Sequence, residues 1–244
     1  MDDALTPLRL SPSLGVRTNG FGQLVGKDVP EWRGCARLPD AELEGRTCRV
    51  VPFMPEHAAG LFDALARDDG RMWTYMPFGP FGDADMLRSN IETYMETRGF
   101  QTFVIMTDAQ PRGYASFMRY DMANGGVEVG GVTFSPELQR TVAATEAMAL
   151  MMRHAFDHGY RRYEWKCDQL NAPSNRAAQR LGFRFEGVFR NAVVNKGRRR
   201  DTAWYSVIVE DWPGVKARLD AWLDPGNFDQ AGRQITALSA MTAP

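Results

Sequence analysis

The segment VTFSPELQRTVAATEA, residues 132–147, decides the fold, because a β-forming run passes there through a short polar loop into a helix. The apolar spacing of that helix continues from Ala144 to His158, and Gly159 then offers a helix C-terminus. The first N–H groups of a helix lack intrahelical partners and lie at the positive end of its dipole. The segment therefore predicts a pyrophosphate-type anion site. A helix start that is merely capped stays an alternative.

The residues around this segment alternate between strands and helices. Runs of β-forming residues predict strands at 47–51, 102–107, 113–120, 127–134, 162–167, 183–189 and 202–209. Apolar spacing predicts one helix that begins near residue 55 and three further helices at 83–98, 144–158 and 173–181. The order βααβββαβαββ predicts a mixed α/β domain. Strands 127–134 and 162–167 are joined through a helix, so we expect them to be parallel with a right-handed crossover. Gly130 and Gly131 indicate a bulge or a close approach of another backbone or ligand.

Composition excludes several classes of protein. The chain has 29 Lys and Arg against 30 Asp and Glu, and this net charge of −1 argues against a general nucleic-acid binder. No apolar run reaches the roughly 18–20 residues of a membrane-spanning helix. Asp2 and Asp3 stand where a signal peptide would have a basic region. We therefore expect a cytoplasmic protein with neither a nucleic-acid nor a membrane partner.

Metal and disulfide chemistry are not expected either. The three cysteines, Cys35, Cys48 and Cys167, are far apart, and their odd number argues against a disulfide framework. The three histidines do not form a His-Glu-x-x-His arrangement, so no metal site is predicted.

The chain divides into three predicted parts. Residues 1–44, rich in Pro, Gly and Ser, are expected to be an N-terminal extension. Residues 45–212 carry the alternating pattern and are expected to be a single mixed α/β domain. Residues 213–244 are expected to form a C-terminal helix and tail.

A second motif follows downstream. NAPSNRAAQRLGF at 171–183, then RFEGVFR at 184–190, together with ATEA at 144–147, resembles the GCN5-related N-acetyltransferase (GNAT) superfamily, in particular its RimJ/RimL-type branch. The resemblance covers about residues 45–212. It implies a mixed, mostly antiparallel sheet with a central, splayed parallel strand pair and helices on both faces.

The resemblance also implies a function. The expected enzyme is an acyl-CoA-dependent N-acyltransferase that transfers the acyl group directly to a primary amine of a protein N-terminus or small molecule. Acetyl-CoA, or another short acyl-CoA, is the expected co-substrate, and the expected assembly is a monomer or homodimer. The alternative is a CoA-binding regulatory or interaction module with little catalysis. It is kept open because Val142 replaces a loop glycine and Ala178 stands where many relatives have a tyrosine.

The cofactor contacts implied by the resemblance lie on three elements. The backbone of Val132, Thr133 and Phe134 is expected to pair with the pantetheine arm. The pyrophosphate is expected at Gln139, Arg140, Thr141, Val142, Ala143, Ala144 and Thr145. Further cofactor contacts are expected from Asn171, Ser174 and Arg176, whereas Arg180 is expected either at a CoA phosphate or facing solvent. Since valine rarely adopts a positive φ, we expect ordinary backbone angles throughout the loop.

Three residues are the catalytic candidates. Glu128 stands where relatives often place a glutamate that acts through water, and Asp168 is the second candidate for the base. Ser174 matches a position that contacts the departing thiolate. The alternatives are a half-exposed strand glutamate for Glu128 and a helix cap for Ser174.

The loop at 72–81 is the candidate acceptor pocket, because it contains Trp73, Tyr75, Phe78 and Phe81. The same aromatics could instead pack as a plug on the core. The basic loop at 196–200 is expected either to be a solvated hairpin tip or to steer an acidic acceptor.

Overall fold

The computed structural model describes residues 15–241, and the chain divides into two units, residues 1–33 and 34–244. The first residues of the predicted extension 1–44 and the last three of the predicted tail 213–244 lie outside the described residues. In the first unit, the strands β1 (Arg17–Thr18) and β2 (Leu24–Val25) pair antiparallel. Sequence reasoning missed them because two-residue strands leave no periodic pattern. The three-part division of the chain stays a prediction.

The second unit contains, among its described residues, eight strands and five α-helices. The strands are β3 Leu43–Glu44, β4 Arg49–Pro52, β5 Gln101–Thr107, β6 Gln110–Asp121, β7 Gly126–Phe134, β8 Arg162–Asp168, β9 Arg184–Asn195 and β10 Arg198–Ile208. The helices are α1 His57–Leu65, α2 Ala84–Arg98, α3 Val142–Asp157, α4 Ala172–Leu181 and α5 Trp212–Leu223. From β4 to β10 the order is βααβββαβαββ, which confirms the predicted order.

All eight strands form one sheet in the order β3-β4-β5-β6-β7-β8-β10-β9. Every neighbouring pair is antiparallel except β7 and β8, which are parallel as predicted. Their pairing runs from Gly126 opposite Arg162 only to Val129 opposite Trp165, although both strands continue further. The central parallel pair is therefore splayed, which confirms the expected fold class.

The predicted bulge is also present in β7. Gly130 pairs with Ser116 and Thr133 pairs with Tyr114, so β7 contains one extra residue between these two pairs. Gly131 has a φ of 61° there, a conformation that costs glycine little. The bulge begins directly after the last residue of β7 that pairs with β8, and it therefore helps to open the sheet.

Helices cover both faces of the sheet. The larger core packs α3 against one face and includes alternate residues of the central strands, such as Val127, Val129 and Trp165. A smaller core packs α1 and α2 against the other face, around Leu61, Leu87 and other apolar side chains. None of the helices within residues 15–241 has the length and apolarity needed to cross a membrane.

The final hairpin is longer than predicted. Its strands reach Asn195 and begin again at Arg198, so only Lys196 and Gly197 form the turn, both with positive φ. The expected basic loop at 196–200 is therefore wrong for residues 198–200, which lie on β10. A register shift between Arg200 and Thr202 interrupts the alternation and hid this part of the strand pair.

Candidate active site

The centre of the site is the gap that opens between β7 and β8. Thr133 and Phe134 pair with β6 on one side, whereas β8 no longer pairs with them on the other. The Thr133 side chain is buried, and its hydroxyl donates to the carbonyl of Gly131 at 2.9 Å. Thr133 can therefore make its predicted contact only through its backbone, at an edge where an extended amide-containing chain can pair as a strand would.

The loop that leads into α3 is fixed by its own side chains. Gln139 Nε2 donates to the carbonyl of Phe134 at 2.9 Å. Thr141 is the N-cap of α3: its Oγ1 accepts from the N–H of Ala144 at 3.1 Å and donates to the carbonyl of Leu138 at 2.7 Å. These two predicted contact residues thus hold the loop in place, and the anion site at the N–H groups of the first helical turn stays a prediction.

Arg140 has a φ of 63°, in the left-handed region. The expectation of ordinary backbone angles in this loop is therefore wrong. Val142 avoids the problem because it is the first helical residue, and Arg140 instead adopts the conformation that a glycine would favour. Such a conformation costs an L-residue about 1 kcal/mol. The exposed Arg140 guanidinium is the charged group that this loop adds to the backbone donors.

We expect Arg140→Gly and Arg140→Ala to weaken acyl-CoA binding alike, because both remove the guanidinium. Only Arg140→Gly relieves the backbone strain, so it alone should raise the free energy of unfolding, by about 0.5–1 kcal/mol. The KM for acetyl-CoA and the urea midpoint of each variant test this. Equal stability of the two variants would contradict the assigned strain, and an unchanged KM in both would remove Arg140 from the cofactor site.

Ala143, Ala144 and Thr145 are buried in the core. Thr145 Oγ1 accepts a hydrogen bond from Arg180 Nη1 at 2.9 Å, and the Arg180 guanidinium also lies over the ring of Trp222, 4.9 Å from its centroid. Arg180 therefore joins α3, α4 and α5 and does not face solvent, and its guanidinium is engaged by Thr145 in the first turn of α3. Arg176 on the same helix is exposed and stays the predicted phosphate contact on α4.

Glu128 is buried on β7, with only 7% of its side chain exposed. Its Oε2 lies 2.9 Å from Lys166 Nζ and 3.3 Å from Arg119 Nε. Burial raises the pKa of the Glu128 carboxyl above its usual value, and the two cations offset only part of that rise. A Cβ placed on Gly130 would lie 3.4 Å from Oε1 of Glu128, so the carboxylate extends toward the residue at which the gap opens.

Lys166 is the functional-site residue that sequence reasoning missed. Its side chain is 8% exposed, and its ammonium pairs with Glu128 and, at 2.7 Å, with Glu164 Oε2. It also lies 3.6 Å from the ring centroid of Trp204. The sequence does contain a pattern that indicates Lys166: charged residues alternate along β8, although a central parallel strand is normally apolar on both sides. Such a pattern predicts a buried network of ion pairs.

Ser174 lies on the opposite face of the sheet from Glu128. Its Oγ accepts a hydrogen bond from the indole N–H of Trp165 at 3.0 Å, and Trp165 points into the larger core, whereas Glu128 alternates with core residues Val127 and Val129. The indole occupies one lone pair of the hydroxyl, which also forms a hydrogen bond with the Cys167 thiol. The two candidates therefore flank the end of the β7–β8 pairing from opposite faces.

Asn171 and Asp168 have structural roles at the start of α4. Asn171 is the N-cap, whose Oδ1 accepts from the N–H of Ser174 at 3.2 Å. Asp168 Oδ1 accepts from the N–H of Leu170 at 2.9 Å and so closes the turn after β8. Asn175, which sequence reasoning missed, accepts from the Tyr205 hydroxyl at 2.6 Å and holds α4 on the sheet. Asp168 is thereby the weaker candidate for the base.

The aromatic loop between α1 and α2 packs as a cluster. Trp73 is 5% exposed, and its ring meets that of Phe81 edge-on, with centroids 5.3 Å apart. Phe78 stacks on Phe81 and contacts the ring of Tyr94. The side chain of Trp73 is therefore part of the smaller core, whereas Tyr75, Phe78 and Phe81 are partly exposed. These three keep their predicted role in acceptor binding.

The turn of the β9–β10 hairpin holds this loop. Lys196 Nζ donates to the carbonyl oxygens of Trp73 at 2.9 Å and Gly79 at 2.8 Å, and also to that of Phe78. Arg198 Nη2 donates to the carbonyl of Thr74 at 2.8 Å. The turn is therefore not a free solvated tip, since its cations bind backbone carbonyls of the candidate acceptor loop.

Lys196→Met is expected to loosen residues 70–82, because methionine keeps the length of the side chain but donates no hydrogen bonds. Amide hydrogen exchange in this loop should become faster, and the KM for the amine acceptor should rise while that for acetyl-CoA stays unchanged. Lys27→Met, in the other unit of the chain, is the matched control. Unchanged exchange in the loop would contradict the role of Lys196.

Within residues 15–241, no group of three or more His, Cys, Asp or Glu side chains could hold a metal ion. The three cysteines are free thiols, and burial raises the pKa of Cys48 to about 12.

Comparisons with known proteins agree with this geometry. A family model described as an acetyltransferase (GNAT) domain matches residues 48–184, more than half of the chain. A crystal structure of a GCN5-related N-acetyltransferase from Brucella melitensis is 38% identical, covers 86% of this chain and 97% of its own, and has a TM-score of 0.82. The uncharacterized N-acetyltransferase YnaD of Bacillus subtilis (strain 168) is 25% identical over 146 residues, which are 59% of this chain and 84% of YnaD. Mycobacterium smegmatis RimJ, in complex with CoA-disulfide, shares the fold at 19% identity and a TM-score of 0.61, over 71% of this chain and 88% of its own.

Proposed function

The chain belongs to the acetyltransferase (GNAT) domain family, and we propose that it transfers an acyl group, in the first place acetyl, from acyl-CoA directly to a primary amine of a protein N-terminus or small molecule. Membership of this family confirms the resemblance that the sequence motifs indicated. The chain is therefore an N-acetyltransferase, of a family that uses acyl-CoA and acts on amines. The separation of β7 and β8 after Val129 and Trp165 carries the proposal. It opens a backbone edge for the pantetheine arm beside the start of α3.

Two side chains complete the proposed reaction. Glu128 takes up, through a water molecule, the proton that the amine loses as its nitrogen attacks the thioester carbonyl. The Ser174 hydroxyl donates a hydrogen bond to the sulfur as the carbon–sulfur bond breaks, and the hydrogen bond that the Trp165 indole donates to this hydroxyl supports the role by holding it beside the gap. The thiolate then takes up a proton from water, and Glu128 returns its proton to the water, so that the products are an amide and the free CoA thiol.

The surroundings of Glu128 favour an α-amine over a lysine side chain. Deprotonation at pH 7 costs about 1 kcal/mol for an α-amine but about 4–5 kcal/mol for a lysine amine. Lys166 and Arg119 offset part of the rise that burial causes in the pKa of the Glu128 carboxyl, and a carboxylate remains a far weaker base than a lysine amine. Such a base is sufficient only for the first kind of acceptor.

Release of the CoA thiol from acetyl-CoA in the presence of a panel of amines tests the proposal. The panel contains a lysine-free peptide with a free N-terminus, the same peptide N-terminally blocked and carrying one lysine, and a small primary amine; succinyl-CoA replaces acetyl-CoA in a parallel series. Thiol release with the free N-terminus or the small amine, and not with the blocked peptide, is the expected result. Saturable binding of acetyl-CoA without thiol release from any amine would contradict it.

A further inference from the structure

The outer edge of β9 is open among the residues that the structure describes. β9 is the last strand of the sheet and pairs only with β10. Its twelve residues are mostly exposed, including Phe185 at 55%, Phe189 at 57% and Val194 at 81%. The outward backbone groups of a terminal strand can pair with another extended chain. Exposed apolar side chains along such a strand are typical of an interaction surface.

The same hairpin is strongly basic in a chain whose net charge is −1. Residues 184–201 contain six Lys and Arg but only two Asp and Glu. Both acids are already paired: Glu186 with Arg162, and Asp201 with Arg199. Lys196 and Arg198 donate to neutral carbonyls, so their charges are not compensated there.

An irregularity in the pairing of β9 with β10 brings two of these arginines together. Pairing of β9 with β10 breaks between Phe189 and Val193, where Asn191 has a φ of 51°. Arg190, Asn191 and Arg199 line a cavity at this point. Asp201 already engages Arg199 at 3.3 Å and the backbone N–H of Asn191 at 2.8 Å. The guanidinium of Arg190 is therefore the main free charge beside this cavity, and a guanidinium with a neighbouring amide side chain is suited to a carboxylate.

We propose that the edge of β9 and the cavity at Arg190, Asn191 and Arg199 form a docking surface for an acidic, extended segment of a polypeptide acceptor. The inference rests on the proposed function, whose acceptor it narrows to an amine on an acidic polypeptide. A second copy of this chain is the poorer occupant, because pairing of two β9 edges would bring two basic hairpins together. A nucleic acid has no backbone amides that could pair with the open edge of β9 as an extended polypeptide can.

The test uses two lysine-free peptides that share their N-terminal residues and differ downstream, where one is rich in Asp and Glu and the other in Asn and Gln. We expect kcat/KM to be at least about tenfold higher for the acidic peptide at low salt, and the preference to weaken as salt is added. In the double variant Arg190→Gln/Arg199→Gln the two peptides should become nearly equal. The matched control, Arg49→Gln on β4 near the other edge of the sheet, should retain the preference.

A third peptide tests the pairing with the strand edge. N-methylation of alternate backbone amides in the acidic segment should raise its KM about tenfold or more, since a methylated amide cannot join a β ladder. If a small amine is acetylated and the acidic and neutral peptides react at equal rates, the proposed docking surface is overturned but the proposed function stands. Failure with every amine would overturn the proposed function itself.

Two other occupants have distinct signatures. A dimer that dissociates in Val194→Lys, measured by light scattering, would place a second copy on β9 and overturn the proposal. Tight binding of single-stranded RNA that Arg190→Gln/Arg199→Gln abolishes, without any peptide preference, would overturn it as well.

Discussion

Glu128→Gln is expected to lower kcat by about a hundredfold or more while leaving the KM for acetyl-CoA unchanged. General-base catalysis contributes about 10²–10⁴ to a rate, and glutamine cannot accept the proton. The structure makes this substitution mild in other respects, because a glutamine oxygen can still accept from Lys166, which keeps its second partner Glu164 at 2.7 Å.

The pH profile separates the loss of the base from a structural effect. Because the folded-state pKa of Glu128 is raised, the acidic limb of kcat/KM should lie at a higher pH than for an ordinary glutamate, and it should disappear in Glu128→Gln. The free energy of unfolding depends on pH in the opposite direction to the activity. Because the pKa of Glu128 is raised in the folded state, its contribution to stability is full at low pH and is lost as the pH rises through that pKa.

Glu164→Gln is the matched control, because Glu164 pairs with the same lysine and lies two residues from it on β8. It should retain the acidic limb and most of kcat. An unchanged rate in Glu128→Gln would remove Glu128 from the mechanism, and equal losses in both variants would indicate that the ion-pair network, not the base, had been measured.

Lys166→Met is expected to lower the free energy of unfolding by about 3–5 kcal/mol, the usual cost of removing one partner from a buried ion pair. The ammonium is 8% exposed and is the shared partner of Glu128 and Glu164. Its removal leaves Glu128 with Arg119, at 3.3 Å, and Glu164 with Arg162. Urea denaturation monitored by tryptophan fluorescence measures the change.

Lys216→Met is the matched control for this substitution. Lys216 forms an ion pair with Asp220 at 2.7 Å, but its side chain is 42% exposed, so its loss should cost at most about 1 kcal/mol. Adding Glu128→Gln and Glu164→Gln to Lys166→Met should restore much of the lost stability, because the two carboxylates that shared the lysine are then no longer charged. A cost for Lys166→Met no larger than for Lys216→Met would show that the buried network does not stabilise the fold.

The order of elements was predictable because it depends on local pattern. Apolar spacing between 144 and 158 indicated α3, and the crossover through that helix implied that β7 and β8 are parallel. Gly130 and Gly131 indicated the bulge, and a short motif at 171–183 indicated the family. Each of these signals lies within one element or at the junction of two.

The conformation of the loop before α3 was only partly predictable. The sequence showed that Val142 and Arg140 replace glycines, but which of them would need a positive φ depended on where the helix begins. Capping by Thr141 starts α3 at Val142 and shifts the left-handed conformation to Arg140. The first residue of α3 therefore decides which loop residue adopts a positive φ, and sequence patterns do not resolve a helix start to a single residue.

The sequence by itself determined the family, the splayed sheet and the positions of Glu128 and Ser174 next to the gap. The tertiary structure alone decided the partners of these side chains, because charged and polar contacts join residues that are remote in the sequence. Lys166 meets Glu128 across the parallel pair, and Lys196 binds the carbonyl of Gly79, 117 positions away. Apolar burial depends on the pattern of one element, whereas an ion pair depends on the register of two, and only the assembled sheet sets that register.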